Sequence, residues 1–139
     1  MASAVETAVD TYIRIFNEPD PAKRNELIEA CFAPDGRIVT RSREIRGQAG
    51  VAEMANRFFA DPQMLGVRVV AVDATNTTFR FRALTDLRDG TTLEVNDAGE
   101  IDATGRISVI LTFAGPLEEC ATSPLGSTDE QRHELTAPI

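Results

Sequence analysis

The 139-residue chain has one histidine, one lysine and two cysteines, and these shortages exclude much chemistry. His133 lies in a polar stretch near the C-terminus. The folded body therefore has no imidazole for a Ser-His-Asp triad, a Cys-His pair, a zinc site or a two-histidine iron site. No metal and no cofactor are expected. Lys23 sits among Pro21, Arg24 and Asn25 and reads as a solvated side chain rather than a Schiff-base nucleophile. Cys31 and Cys120 form no CxxC pair, so a reduced, cytoplasmic location is the expectation. No apolar run approaches the roughly eighteen residues of a membrane span. Met1 to Val9 has neither the basic start nor the apolar block of a signal peptide. Acid–base chemistry must then come from carboxylates, from the single tyrosine Tyr12, or from arginines acting as fixed charges.

Charge argues against nucleic acid and against an anionic membrane. The formal balance is −8, and half of it falls in the stretch 116–139. Arginines are plentiful but scattered, with no basic stripe interleaved by aromatics. What is present is ordinary globular composition, 42% apolar and 26% charged, enough for one domain with a core.

Three helical patterns come first. Val5, Val9, Tyr12, Ile13 and Phe16 form one apolar stripe over Ala4 to Asn17, ended by Pro19 and Pro21. A second helix is predicted from Ala22 to Phe32, followed by a turn at Pro34-Asp35-Gly36 and a short extended stretch from Arg37 to Arg41. Gly47 opens a third helix with Val51, Met54, Ala55 and Phe58 on its buried face. From Gly66 the period changes to two. Strands are predicted at Val67–Val72, Thr77–Leu87, Thr91–Ile101 and Arg106–Phe113, with Asp89-Gly90 as a hairpin turn. Helices first and an antiparallel sheet second argue an α+β class, with the helices on one sheet face. From Pro116 on, small polar residues and acids dominate, which reads as a loose tail.

Asp97 is the residue that breaks the pattern. In Leu93 to Ile101 the odd positions read Leu, Val, Asp, Gly, Ile and the even ones Glu, Asn, Ala, Glu. Alternation places Asp97 on the apolar face, where a carboxylate must find a partner or keep its proton. The ordinary alternative is a bulge near Gly99 that turns it back to water. Tyr12, between Val9 and Phe16 on the first helix, is the natural partner, because a buried phenol needs something to hydrogen-bond. Its ordinary alternative is a core tyrosine bonded to a backbone carbonyl.

The order of these features resembles the SnoaL-like and ketosteroid isomerase proteins of the nuclear-transport-factor-2-like superfamily. The features are a first helix with Tyr12, a second helix running into Cys31-Phe32-Ala33-Pro34-Asp35, Gly47 before a third, and a sheet closing with Asp102-Ala103-Thr104-Gly105-Arg106-Ile107. The resemblance covers residues 4–115 and implies one such domain, with 116–139 as a flexible acidic tail. It implies a cone-shaped barrel, three N-terminal helices packed on a strongly curved, mainly antiparallel sheet, with an apolar pocket at the wide end. In ketosteroid isomerases a first-helix tyrosine and a protonated late-strand aspartic acid donate hydrogen bonds to a dienolate oxygen. Tyr12 and Asp97 fall at those positions. The family's base lies five residues after the acid that Asp35 matches, and here that position is Thr40, which cannot take a proton at neutral pH. Glu44 and Glu94 are the candidate replacements, one in a turn and the other with outward parity.

Phe16, Met54, Phe58, Phe79 and Phe81 are expected to wall the pocket. The inward set on the last strand adds Ile110 and Thr112. Arg80 and Arg82 are expected on the outer sheet face, where this superfamily often dimerises. Two readings follow. One is an enzyme acting on a ring-containing hydrophobic metabolite by isomerisation, cyclisation or ring opening, with Tyr12 and a neutral Asp97 as donors to a substrate oxygen. The other is a non-catalytic ligand-binding or dimeric interaction module that has lost the base.

Overall fold

Ser3 starts the first helix. Its hydroxyl accepts the Glu6 N–H at 3.1 Å and donates back to the Glu6 carboxylate at 3.0 Å. Such a capping box contributes about 1 kcal/mol. The computed structural model describes residues 2–120, and in it helix α1 spans Ala4–Ile15. Val5, Val9, Tyr12 and Ile13 are buried, as the stripe requires. The helix stops two residues short of the expected Asn17 because that side chain has other work. Asn17 Nδ2 donates to the carbonyls of Ile13 and Val67, and Oδ1 accepts the Val67 N–H at 3.0 Å. One amide thereby replaces a strand backbone and ties the end of α1 to the sheet.

Asp20 caps the Ala22 N–H at 3.0 Å, and Pro21 takes the first helical position, where its missing donor costs nothing. Helix α2 runs Pro21–Cys31 and passes directly into strand β1, Phe32–Val39. A turn at Pro34-Asp35-Gly36 is expected from sequence, but the chain keeps strand direction through those residues. The turn-forming triplet appears instead as a register jump between Phe32 and Arg37. Gly36 sits so close to Phe32 that a Cβ there would meet the ring at 2.7 Å, so the bulge depends on glycine.

Strand β2, Glu44–Arg46, leads into helix α3, Gly47–Ala60. Four longer strands complete the fold: β3 Met64–Thr75, β4 Thr78–Leu87, β5 Thr92–Ile101 and β6 Ile107–Ala114. β3 extends well past the expected Val67–Val72, because backbone pairing with β4 holds it from Met64↔Leu87 to Thr75↔Thr78 whatever its side chains are. The sheet order is β2-β1-β6-β5-β4-β3. All pairs are antiparallel except β1 with β6. The α+β expectation holds: three helices pack on one face of a six-stranded curved sheet. The sheet has free edges at β2 and β3 and does not close. Register shifts in β3 and at Glu100/Ile101 supply irregularities that bend it.

Buried Arg24 fastens the helical layer. It is 4% exposed, donates to the Glu18 and Pro19 carbonyls and to Asn56 Oδ1 at 2.9–3.0 Å, and lies 4.3 Å over the Phe59 ring. The turn after α1 is thereby pinned to α3. Among the described residues no helix is long and apolar enough to cross a membrane. Pro116 to Cys120 are exposed and without regular structure. The rest of the expected acidic tail, with His133, lies outside the described residues.

Candidate active site

Parity on β4 and β5 decides where the sheet can leave room. Phe79, Phe81, Ala83 and Thr85 are buried on the inner face of β4. Ala83 stops at a methyl group, opposite Val95 on β5. That missing bulk lies beneath α1 and α3, and a cavity of about 150 Å³ opens there. Tyr12, Ile13 and Phe16 reach it from α1, and Met54 and Phe58 from α3. Phe81, Ala83 and Thr85 form its floor on β4, with Val67 beside them. Val95 and Asp97 enter from β5, Thr112 from β6, and Ile38 and Thr40 from the end of β1.

Asp97 is 6% exposed. The bulge that could have returned it to water does not form at this point: Asp97 stays in register between Phe81 and Thr112. Its Oδ1 is fully buried and has no hydrogen-bond partner among the described residues. Burial raises the carboxyl from its ordinary 3.8 to about 6, against which hydrogen bonding from Thr112 works. At pH 7 roughly a tenth of such groups hold a proton. Tyr12 is 5% exposed. Burial, then the charge of Asp97, then Cys31 push its phenol well above the ordinary value, so it remains a protonated donor throughout the neutral range. Among the described residues its hydroxyl makes no hydrogen bond, so neither the expected pairing with Asp97 nor the core-tyrosine bond to a backbone carbonyl is seen.

Aromatic rings wall the cavity. Tyr12 meets Phe16 edge-on at 5.5 Å, Phe16 meets Phe58 at 5.4 Å, and Tyr12 lies 6.5 Å from Phe81. Of the residues expected from sequence, Tyr12, Asp97, Phe16, Thr40, Met54, Phe58, Phe81 and Thr112 converge here. Phe79 and Ile110 do not. Phe79 stacks behind Phe81 at 6.0 Å. Ile110 is 0% exposed and pairs with Gly99, one step past the cavity on the same face. Parity assigns a face and not a position along it. The lining also includes Val67, Ala83, Thr85 and Val95, of which Ala83 and Thr85 share the face of Phe81 and are readable from that alternation.

No family model and no curated protein matches this sequence. Solved structures do match. A SnoaL-like family protein from Agrobacterium tumefaciens, described as a candidate isomerase, superimposes with a TM-score of 0.69 at 25% identity, covering 83% of this chain and all of that one. The chain has the fold of the SnoaL-like, nuclear-transport-factor-2-like superfamily. A protein of ketosteroid isomerase-like fold from Catenulispora acidiphila, in complex with trimethylamine, gives a TM-score of 0.64 at 13% identity over 76% of this chain and 83% of that one. A nuclear-transport-factor-2-like protein of unknown function from Exiguobacterium gives 0.61 at 19% identity over 79% and 99%.

Within this superfamily fold, the position where a base is expected is occupied by a tied-up side chain. The Thr40 hydroxyl donates to the Arg43 carbonyl at 3.0 Å and accepts the Arg43 N–H at 3.2 Å, closing the turn between β1 and β2. Neither replacement carboxylate reaches the cavity. Glu44 bridges Arg37 and Arg46 at 3.3 and 3.0 Å on the surface, and Glu94 faces Arg82 on the outer side of the sheet. Among the described residues Asp97 is the one carboxylate lining the cavity.

Proposed function

We propose that this chain is a small-molecule enzyme of isomerase type, acting on a ring-containing hydrophobic metabolite by isomerisation, cyclisation or ring opening. The observation that carries this reading is the unpartnered, buried Oδ1 of Asp97 in an apolar cavity that Tyr12 also enters. A buried polar atom without a partner costs about 1–3 kcal/mol. A ligand oxygen that supplies the missing bond recovers that cost on binding. Tyr12 donates to the same oxygen. Asp97 donates when protonated, and a ring that fills the cavity removes water and raises the protonated fraction further. Both donors strengthen as negative charge builds on the oxygen, which lowers the barrier to an enolate or to an opening ring. With Thr40 held in its turn, the proton that leaves carbon must go to water, to a substrate group, or to the carboxylate form of Asp97.

The second reading, a binding module without turnover, draws on the absence of a carboxylate at Thr40. A homodimer through the outer sheet face is part of the proposal, supported by the 40% and 60% exposure of Leu111 and Phe113 on that face. The test is a titration with phenol and with cyclohexenone, followed by proton-exchange measurements on the ketone. Tyr12→Phe and Asp97→Asn are expected to weaken binding about tenfold each, the worth of one lost hydrogen bond in a buried site. Ala83→Leu is expected to abolish it by filling the floor. Equal binding by all four proteins would remove the site. Binding without exchange would select the second reading.

A further inference from the structure

The cavity has a neighbour. A surface groove of about 320 Å³ is lined by Thr40, Arg41, Thr112 and Phe113, and Thr40 and Thr112 line the cavity as well. The two spaces share those threonines, with Leu111 and Phe113 of the outer sheet face on the groove side. The inner one is small. Apolar cavities of roughly 150 Å³ accept a benzene-sized molecule, while sites for larger ligands span about 300–1,000 Å³. Only one ring fits inside, and Thr40 and Thr112 are the part of its wall that the groove shares.

The groove side is cationic in a chain of net charge −8. The β1–β2 hairpin carries Arg37, Arg41, Arg43 and Arg46. Glu44 engages Arg37 and Arg46. Exposed Arg41 and Arg43 have no ion pair among the described residues. The Thr40–Arg43 turn described above fixes the backbone that presents Arg41 in the groove. Two guanidinium groups without an ion pair among the described residues, Arg41 in the groove and Arg43 two residues on, form a local attractive field for an anion.

We infer that the substrate is a single-ring compound bearing a carboxylate, its ring in the cavity and its carboxylate in the groove at Arg41. This rests on the reading of the cavity as a ligand site and specifies the ligand. A carboxylate fits the planar fork of arginine.

The experiment is calorimetric or NMR titration of the full chain with para-hydroxyphenylacetate, its neutral amide, and a two-ring hydroxynaphthylacetate. The acid is expected to bind about fivefold tighter than the amide, the size of an exposed ion pair. That preference is expected to vanish in Arg41→Gln, a substitution at an exposed residue, and to shrink as salt is raised. Asp97→Asn is expected to weaken acid and amide alike. Equal binding of acid and amide, a preference that survives in the Arg41→Gln, Arg43→Gln double variant, or a naphthyl compound binding as well as the single ring would each overturn the inference while leaving the ligand site intact. Failure of all three compounds to bind would overturn both.

Discussion

Asn in place of Asp97 tests the site through stability, without a substrate. Burial lifts this carboxyl from 3.8 to about 6, so the folded protein holds a proton that the unfolded chain releases. A raised value stabilises the fold fully below about pH 3.8, and that contribution is lost as pH rises through about 6. The difference between the two values, at 1.36 kcal/mol per unit, is worth about 3 kcal/mol. Asparagine has nearly the same shape and no charge to bury. Asp97→Asn is therefore expected to match the wild type within about 1 kcal/mol at pH 4, and to exceed it by up to about 3 kcal/mol at pH 8. For a chain of this length that is a rise in Tm of about 10 °C. Urea denaturation followed by circular dichroism between pH 4 and 8 measures both proteins directly. A stability difference that stays flat across this range, or a wild type more stable than the variant at pH 8, refutes the burial argument. Stability gained by the substitution that removes the proposed proton donor is the pattern of a residue kept for function at the expense of the fold.

Three further substitutions or modifications probe the scaffold. Arg24→Ala leaves the Glu18 and Pro19 carbonyls and Asn56 without their donor; a loss of about 3 kcal/mol in urea unfolding is expected, and a loss below 1 kcal/mol would show that the pin is dispensable. Gly99→Ala puts a methyl group against the Val109 carbonyl and within 2.5 Å of the Phe79 ring; a cost of about 2 kcal/mol or more is expected by thermal melting. Cys31 is buried and its thiol is pushed up to about 12, whereas Cys120 is exposed. A colorimetric disulfide reagent is expected to modify one thiol in the native protein and two in denaturant.

Much of this architecture is legible in the sequence because it follows from period. The stripe on α1, the alternation of β4 and the inward placement of Asp97 each need only residue spacing and a count of parity. The outward placement of Arg80, Arg82 and Glu94 follows from the same count. What stays hidden depends on contacts distant along the chain. Asn17 reads as an unremarkable helix end until Val67, fifty residues on, comes to its amide. Nothing local to Arg24 signals its burial, which three carbonyl oxygens and the Phe59 ring explain. The Pro34-Asp35-Gly36 triplet has every local mark of a turn, yet pairing to β6 on both sides keeps it inside a strand. The cavity is hidden in a different way. It exists because Ala83 is small, and absent volume leaves no periodic signal.

The β1–β6 pair carries a consequence for how this molecule comes into being. β1 has two strand neighbours, the three-residue β2 and the terminal β6. During synthesis, then, β1 has no long strand beside it until residues 107–114 leave the ribosome, although Asn17 already ties α1 to Val67 of β3. A fragment ending before Ile107 is missing the central plank of its own sheet, and with it the wall that bears Thr112. Among the described residues the last strand made locks the first, and the cavity wall that Thr40 and Thr112 share is complete only once β6 has paired with β1.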